Sequence, residues 1–294
     1  MAGIETNRTS ITLPAEVSAE IIAAAQEESA VMRLARRINL PGRGLTIPVI
    51  SGDPEANWVD ETNVKPVSNP TLTTKSMKGY TLAVIVPFSN QFRRDMKDLY
   101  AEIVRRLPGA LGKKFDATVF AGTAPGTGFD VLTGVTAQSI SGTGNSFYSA
   151  LVNAESTIAT AGYSVNGYAM SPQGRAEMLL AVDNNKRPLF IDSVADGAIP
   201  RLLGQPVHYT KGVYAAGSGS NAVDVLGFAG DWTKAMYGIV EGVEISISDQ
   251  ATLTISGSQV NLWERNMFAV RAEIEVGFIA EATAFNKITR AHSA

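Results

Sequence analysis

Residues 45–88 read LTIPVISGDPEANWVDETNVKPVSNPTLTTKSMKGYTLAVIVPF, and the fold turns on how this stretch divides. At one end, residues 45–50 (Leu-Thr-Ile-Pro-Val-Ile) predict a strand. At the other, residues 78–88 predict a longer one, with Tyr80, Leu82, Val84, Val86 and Phe88 alternating onto one face. Between them, residues 51–75 are rich in Pro, Asn, Asp and Thr and poor in apolar side chains. So long a loop is uncommon inside a compact domain. With a strand at each end it reads as a protruding hairpin, and a lone hairpin is marginal in water. Trp58 in its middle is costly to leave wet, which points to docking on another surface; a surface loop with Trp58 packed locally is the alternative.

Downstream, Ser89 to Met96 predicts a short capped helix and residues 98–121 a long one. Leu99, Ile103, Leu107, Leu111 and Phe115 recur every fourth residue, and Pro108-Gly109 in mid-pattern predicts a kink. Residues 89–114 are basic: Arg93, Arg94, Lys97, Arg105, Arg106, Lys113 and Lys114 stand against Asp95, Asp98 and Glu102. The hairpin segment 52–75 is acidic: Asp53, Glu55, Asp60 and Glu61 stand against Lys65 and Lys75. An acidic protrusion and a basic helix in one chain suit docking between copies, although scattered surface charge reads the same way. Upstream, residues 1–13 read as an extended arm and Pro14 as the start of a helix. Ser29 reads as the cap of a short helix through Met32. Arg33, Arg36 and Arg37 then form a basic cluster, either a solvated face or a patch turned to an interior or a neighbouring subunit.

Residues 122–145 are Gly- and Thr-rich and read as a linker. Beyond them, Ser146 predicts a cap for a helix with Phe147, Leu151, Ala154 and Ile158 on one face, and Ser171-Pro172 opens another through Val182. Residues 189–213 read as short strands and turns. From residue 223 the chain is β-rich. Val243, Ile245 and Ile247 alternate with polar residues. Phe268, Val270, Ala272, Ile274, Val276 and Phe278 face one way, Arg271, Glu273 and Glu275 the other. The class is α+β.

Composition narrows the function. The chain has 294 residues, long enough for about two domains. It carries no cysteine and two histidines, His208 and His292, which removes disulfide scaffolds, zinc ribbons and thiol nucleophiles. A net charge of −3 argues against a dedicated nucleic-acid binder. A charged fraction of 18%, below the usual quarter, suits a surface given over to interfaces. No apolar run is long enough to span a membrane, and the N-terminus lacks a signal peptide's apolar core, so cytosolic synthesis is expected. Catalytic patterns fail. Gly112-Lys113 has Leu107 where a P-loop needs glycine; there is no HExxH and no GxSxG. Asp183 and Asp192 could in principle do glycoside chemistry, but carboxylates are common. His208 reads as a structural histidine in a strand. No catalytic residue, cofactor or metal is expected.

The order of elements, with several local patterns, resembles the major capsid proteins of tailed bacteriophages, the Hong Kong 97-type fold. The patterns are Ala56 to Glu61 with Trp58 before Asp60-Glu61; Phe88-Ser89 before Arg93-Arg94-Asp95; Phe120 to Gly122, Pro125-Gly126 and Val131 to Gly134; Leu202-Leu203-Gly204 with Pro206-Val207; Gly230-Asp231-Trp232 before Ala235 to Tyr237; and Ala284-Phe285. The resemblance covers nearly the whole chain. It implies an N-terminal arm and first helix at 1–34, and a peripheral domain at 35–50 and 78–137 containing a spine helix at 98–121. It further implies an extended loop at 51–77, an axial domain at 138–244, and a return to the peripheral domain with a final strand at 245–294. It implies a shell of hexamers and pentamers around double-stranded DNA contacted non-specifically, built in the host cytoplasm and residing in the virion. Inter-subunit contacts would come from Trp58, Asp60, Glu61 and Lys65 of the loop and from Arg93, Arg94, Lys97, Arg105 and Arg106 of the spine region. Arg33, Arg36 and Arg37 would face the interior. A separate scaffolding protein, a portal and a decoration protein are the further partners it implies. An encapsulin-type compartment shares the fold and is the alternative; a soluble carbohydrate-active enzyme is a more distant one.

Overall fold

Alternating apolar residues build the centre of the molecule. The computed structural model describes residues 29–52, 56–60, 63–65, 67, 71–95, 97–142, 146–182, 185, 187, 201–219, 222–255 and 257–292. The arm and the helix expected from Pro14 lie outside them, as do Glu61, Asp183 and Asp192.

The described chain opens with a short helix α1 (Ala30–Leu34) and strands β1 (Arg36–Asn39), β2 (Leu45–Gly52), β3 (Thr71–Met77) and β4 (Tyr80–Ser89). Helices α2 (Asn90–Asp95) and α3 (Lys97–Ala121) follow, then β5 (Thr136–Ser139) and α4 (Phe147–Thr160). Next come β6 (Gly167–Met170), α5 (Pro172–Leu180), β7 (Arg201–Leu202) and β8 (Gln205–Tyr209). The rest is β-rich: β9 (Val223–Gly230), β10 (Ala235–Ser248), β11 (Thr252–Ile255), β12 (Ser258–Asn261), β13 (Met267–Ala280) and β14 (Phe285–Ala291).

Two sheets carry the fold. One has the order β1-β10-β13-β4, the other β5-β14-β9-β6-β8-β7; two hairpins, β2/β3 and β11/β12, stand apart. Helix α3 packs against both sheets. Of the expected four-residue stripe, Leu107, Leu111 and Phe115 are buried, while the side chains of Leu99 and Ile103 lie outside the description; Val119 and Phe120 are buried as well, and the helix runs through Pro108 as one element. Phe115 meets Phe278 of β13 with ring centroids 6.3 Å apart, and Phe120 meets Phe228 of β9 at 4.9 Å. On β13 every residue of the expected face, Phe268 through Phe278, is buried, and Tyr80, Leu82, Val84, Val86 and Phe88 of β4 pack into the same core. On the six-stranded sheet the period-two pattern serves two layers. Ala169 and Phe228 face α3, whereas Tyr168, Met170 and Ala229 face Phe147, Leu151, Ala154 and Ile158 of α4.

Several expectations require correction. The hairpin is not closed by the long strand at 78–88. β2 pairs antiparallel with β3, from Leu45 opposite Met77 to Gly52 opposite Thr71, while β4 pairs with β13. The apolar face of β4 is drawn into the core, which leaves the Thr-rich β3 to complete the hairpin. Residues 122–142 do not behave as a linker. Phe129, Leu132 and Val135 are buried, and Leu132 N–H bonds the Val119 carbonyl at 2.7 Å. Ile247, near the end of β10, is exposed and continues no buried face. The boundary expected at 244/245 falls inside β10, and β14 lies in the six-stranded sheet between β5 and β9. Both follow from long-range strand pairing that local composition does not encode.

Candidate assembly surfaces

The β2/β3 hairpin is fixed at its base, and the described residues beyond it are exposed. Met77 is buried with Leu40 and Ile279, with Ile47 and Val240 packed against them. Lys75 Nζ donates to the Ala280 carbonyl at 2.7 Å and lies 3.3 Å from Glu281 and 3.7 Å from Asp130. Lys78 N–H bonds the Gly128 carbonyl at 2.9 Å. Gly128 has φ +82°, a conformation that disfavours a side chain, and a Cβ there would sit 3.0 Å from the Ser76 carbonyl oxygen. Farther out, no such anchor is found among the described residues. Trp58, Val64 and Val67 are 104%, 93% and 86% exposed. Asp60 and Lys65 are exposed as well, and the Asp60 carbonyl accepts from Asn63 N–H at 3.1 Å in a local turn.

The basic region is a helical surface. Ser89 Oγ accepts from Phe92 N–H at 3.1 Å and caps α2, as the sequence predicts. Arg94, Arg105, Arg106, Lys113 and Lys114 are exposed. Arg93 lies on α2 and Lys97 opens α3; at both, the description stops at the backbone. Arg33, Arg36 and Arg37 are all exposed but share no single face. Arg33 is on α1, whereas Arg36 and Arg37 are successive residues of β1 and so project to opposite sides. Arg36 reaches the Met236 sulfur at 3.1 Å.

Two buried carboxylates, neither singled out from the sequence, tie separate elements of the fold together. Asp116 on α3 accepts from Ser29 Oγ at 2.6 Å, Ala30 N–H at 2.8 Å and Val31 N–H at 3.3 Å. It thereby satisfies the open end of α1, where the chain leaves the N-terminal segment. Burial pushes its carboxyl up to about 6, against these hydrogen bonds and one from Thr210. Asp224 on β9 faces Arg290 Nη2 at 2.7 Å and His292 Nδ1 at 2.7 Å, and accepts from Gly217 N–H at 2.9 Å. Burial raises its carboxyl, but these hydrogen bonds together outweigh burial and hold it well below the usual carboxylate range. Arg290 also pairs with Glu177 of α5, so this cluster joins β14 to β9 and α5. His208, expected to be structural, lies on β8 with its Nε2 buried, and burial together with Arg33 holds its pKa down.

Among the described residues no group of His, Asp and Glu is placed to hold a metal ion, and no helix is long and apolar enough to cross a membrane. The one further feature that sequence reasoning passed over is Trp263, 72% exposed in the turn between β12 and β13. Its signal was available in a large apolar residue followed by Glu264, Arg265 and Asn266.

The chain thus combines a buried core shared by two sheets with large apolar side chains held out to solvent. A protein of Mycobacterium phage L5 described as a probable major capsid protein is 28% identical over 298 residues, covering 94% of this chain and 89% of that protein. The major capsid protein of Staphylococcus phage 80alpha is 27% identical over 291 residues, covering 95% and 85%. Among solved structures, a chain from Mycobacterium phage Adephagia superposes with a TM-score of 0.74 at 22% identity, covering 90% of this chain and 91% of that one. The capsid of a native GTA particle gives 0.65 at 15% identity, covering 91% and 90%. The phage capsid family matches residues 9–289, nearly the full length, and to that family this chain belongs.

Proposed function

We propose that this chain is the major capsid protein of a tailed double-stranded DNA bacteriophage, a structural subunit that assembles through hexamers and pentamers into an icosahedral head. The observation that carries the reading is the outer β2/β3 hairpin, which holds Trp58, Val64 and Val67 fully in solvent with no partner surface from its own chain among the described residues. At roughly 25 cal/mol per Å² of apolar area, covering such residues on a neighbour adds a modest increment per contact. Many weak contacts per copy make assembly cooperative and closure of a shell favourable.

The same reading assigns the parts. The four-stranded sheet with α3 is the peripheral domain and spine helix, the β2/β3 hairpin the extended loop, and the six-stranded sheet with α4 and α5 the axial domain. Trp58, Asp60, Glu61 and Lys65 contact a neighbour, and the exposed Arg94, Arg105 and Arg106, with Arg93 and Lys97, form the basic counterpart to the acidic hairpin. Because Arg36 and Arg37 project to opposite sides of β1, only one side of the basic cluster turns toward the interior, where packaged DNA is met through its phosphates without sequence preference. A scaffolding protein, a portal and a decoration protein complete the particle, which forms in the host cytoplasm and becomes part of the virion.

Sedimentation and negative-stain microscopy of the purified chain, alone and co-expressed with a scaffolding partner, test this. Closed shells support the reading; a persistent monomer under both conditions overturns it.

A further inference from the structure

The turn at 262–266 presents a tryptophan in an unusual way. Trp263 is 72% exposed, yet the turn that carries it is held at both ends. Leu262, its neighbour, is fully buried and its N–H bonds the Ala251 carbonyl at 3.1 Å. Trp263 N–H donates to Asn261 Oδ1 at 3.1 Å, and Met267 N–H to the Leu262 carbonyl at 2.8 Å. Asn266 takes a left-handed conformation, φ 54°, and is gripped from the far side by Asn90. The Asn90 N–H bonds the Asn266 carbonyl at 3.0 Å, and its Nδ2 bonds Asn266 Oδ1 at 2.8 Å. A large apolar side chain on a preorganised scaffold is the form of an interface anchor, because little conformational freedom is left to lose on docking.

The charges beside it indicate what docks. Glu264 and Arg265 are adjacent, exposed, and in no ion pair among the described residues. A strongly acidic or basic partner would meet one favourable and one unfavourable charge here. A second copy of the same turn meets one of each sign, and a rotation that brings the turns together sets Arg265 of one copy against Glu264 of the next.

We propose that the 262–266 turn is a self-docking point, in which Trp263 packs against the same turn of a second copy and Glu264 and Arg265 pair between copies. This rests on the shell-forming role proposed above and names a contact additional to the hairpin.

The chain contains no cysteine, so a single introduced thiol reads proximity without background. In assembled particles Trp263→Cys should give disulfide-linked dimers on mild oxidation, since a bond needs Cα atoms within roughly 7 Å. Thr160→Cys, at the exposed end of α4, should not. Because the cysteine itself removes the anchor, charge exchange gives an independent readout in the unaltered Trp263 background. Glu264→Arg and Arg265→Glu should each lower assembly yield by roughly tenfold, and the double exchange should restore it to within about twofold. Shells that form normally, without crosslinking at 263 and without rescue by the double exchange, overturn the self-docking point while leaving the shell reading intact. A wild-type chain that never assembles overturns both.

Discussion

β3 and β4 are separated by only Lys78 and Gly79, yet they belong to different worlds. β4 puts five alternating apolar residues into the central core and pairs along its length with β13. β3, with the sequence TLTTKSM, buries Met77 at its base, exposes Thr74 and Ser76, and pairs with β2. The difference teaches that foldedness in this chain is graded. The described core is built from residues of a single copy. The hairpin is anchored at Met77 and Lys75 and completed, on the reading proposed here, by another copy.

Three changes probe that gradient. The largest effect belongs to the core. Phe278→Ala removes a fully buried ring that meets Phe115 and Phe129, and should cost about 3–5 kcal/mol of monomer stability by denaturant unfolding. A smaller loss would mean that the two sheets do not share one core through α3.

Next comes Asp116. Its folded carboxyl is raised from 3.8 to about 6, so the folded state binds a proton more readily than the unfolded state. The cost of burying the ionised form is present above about pH 6 and is relieved as pH falls through 6 toward 3.8. The full swing is on the order of 3 kcal/mol. Asp116→Asn should flatten that part of the pH profile relative to wild type, as measured by unfolding free energies from pH 7 to 4. An unchanged profile would mean that Asp116 does not titrate in this range.

The smallest effect on the monomer lies at the hairpin base. Lys75→Met removes the bond to the Ala280 carbonyl and should cost about 1 kcal/mol. Amide exchange should quicken in β2 and β3 but not in β4. Equal quickening in β4 would merge the two regions and break the contrast.

The same contrast explains what was legible in the sequence. Helix α3 and strands β4 and β13 were readable because periodic apolar residues face one core. β3 was not, because its Thr-rich sequence carries no period-two alternation of apolar residues and its pairing is decided by β4 being claimed elsewhere. Phe129, Leu132 and Val135 were hidden among glycines; they plug the core from a segment with no regular repeat. Asp116 looks like one more polar residue on a helix until Ser29, 87 positions away, folds onto it. The loop tip with Trp58 and the basic helical surface were both legible as surfaces. Arg33, Arg36 and Arg37 look contiguous in sequence, but the reversal of direction between neighbouring strand residues separates Arg36 from Arg37.

The most direct test of the central claim replaces residues 53–69 with a short Gly-Ser linker and measures thermal unfolding and sedimentation on the same preparation. A core complete without the hairpin predicts a melting temperature within a few degrees of wild type and the loss of shells. Normal shells, or a monomer that no longer folds, would contradict it.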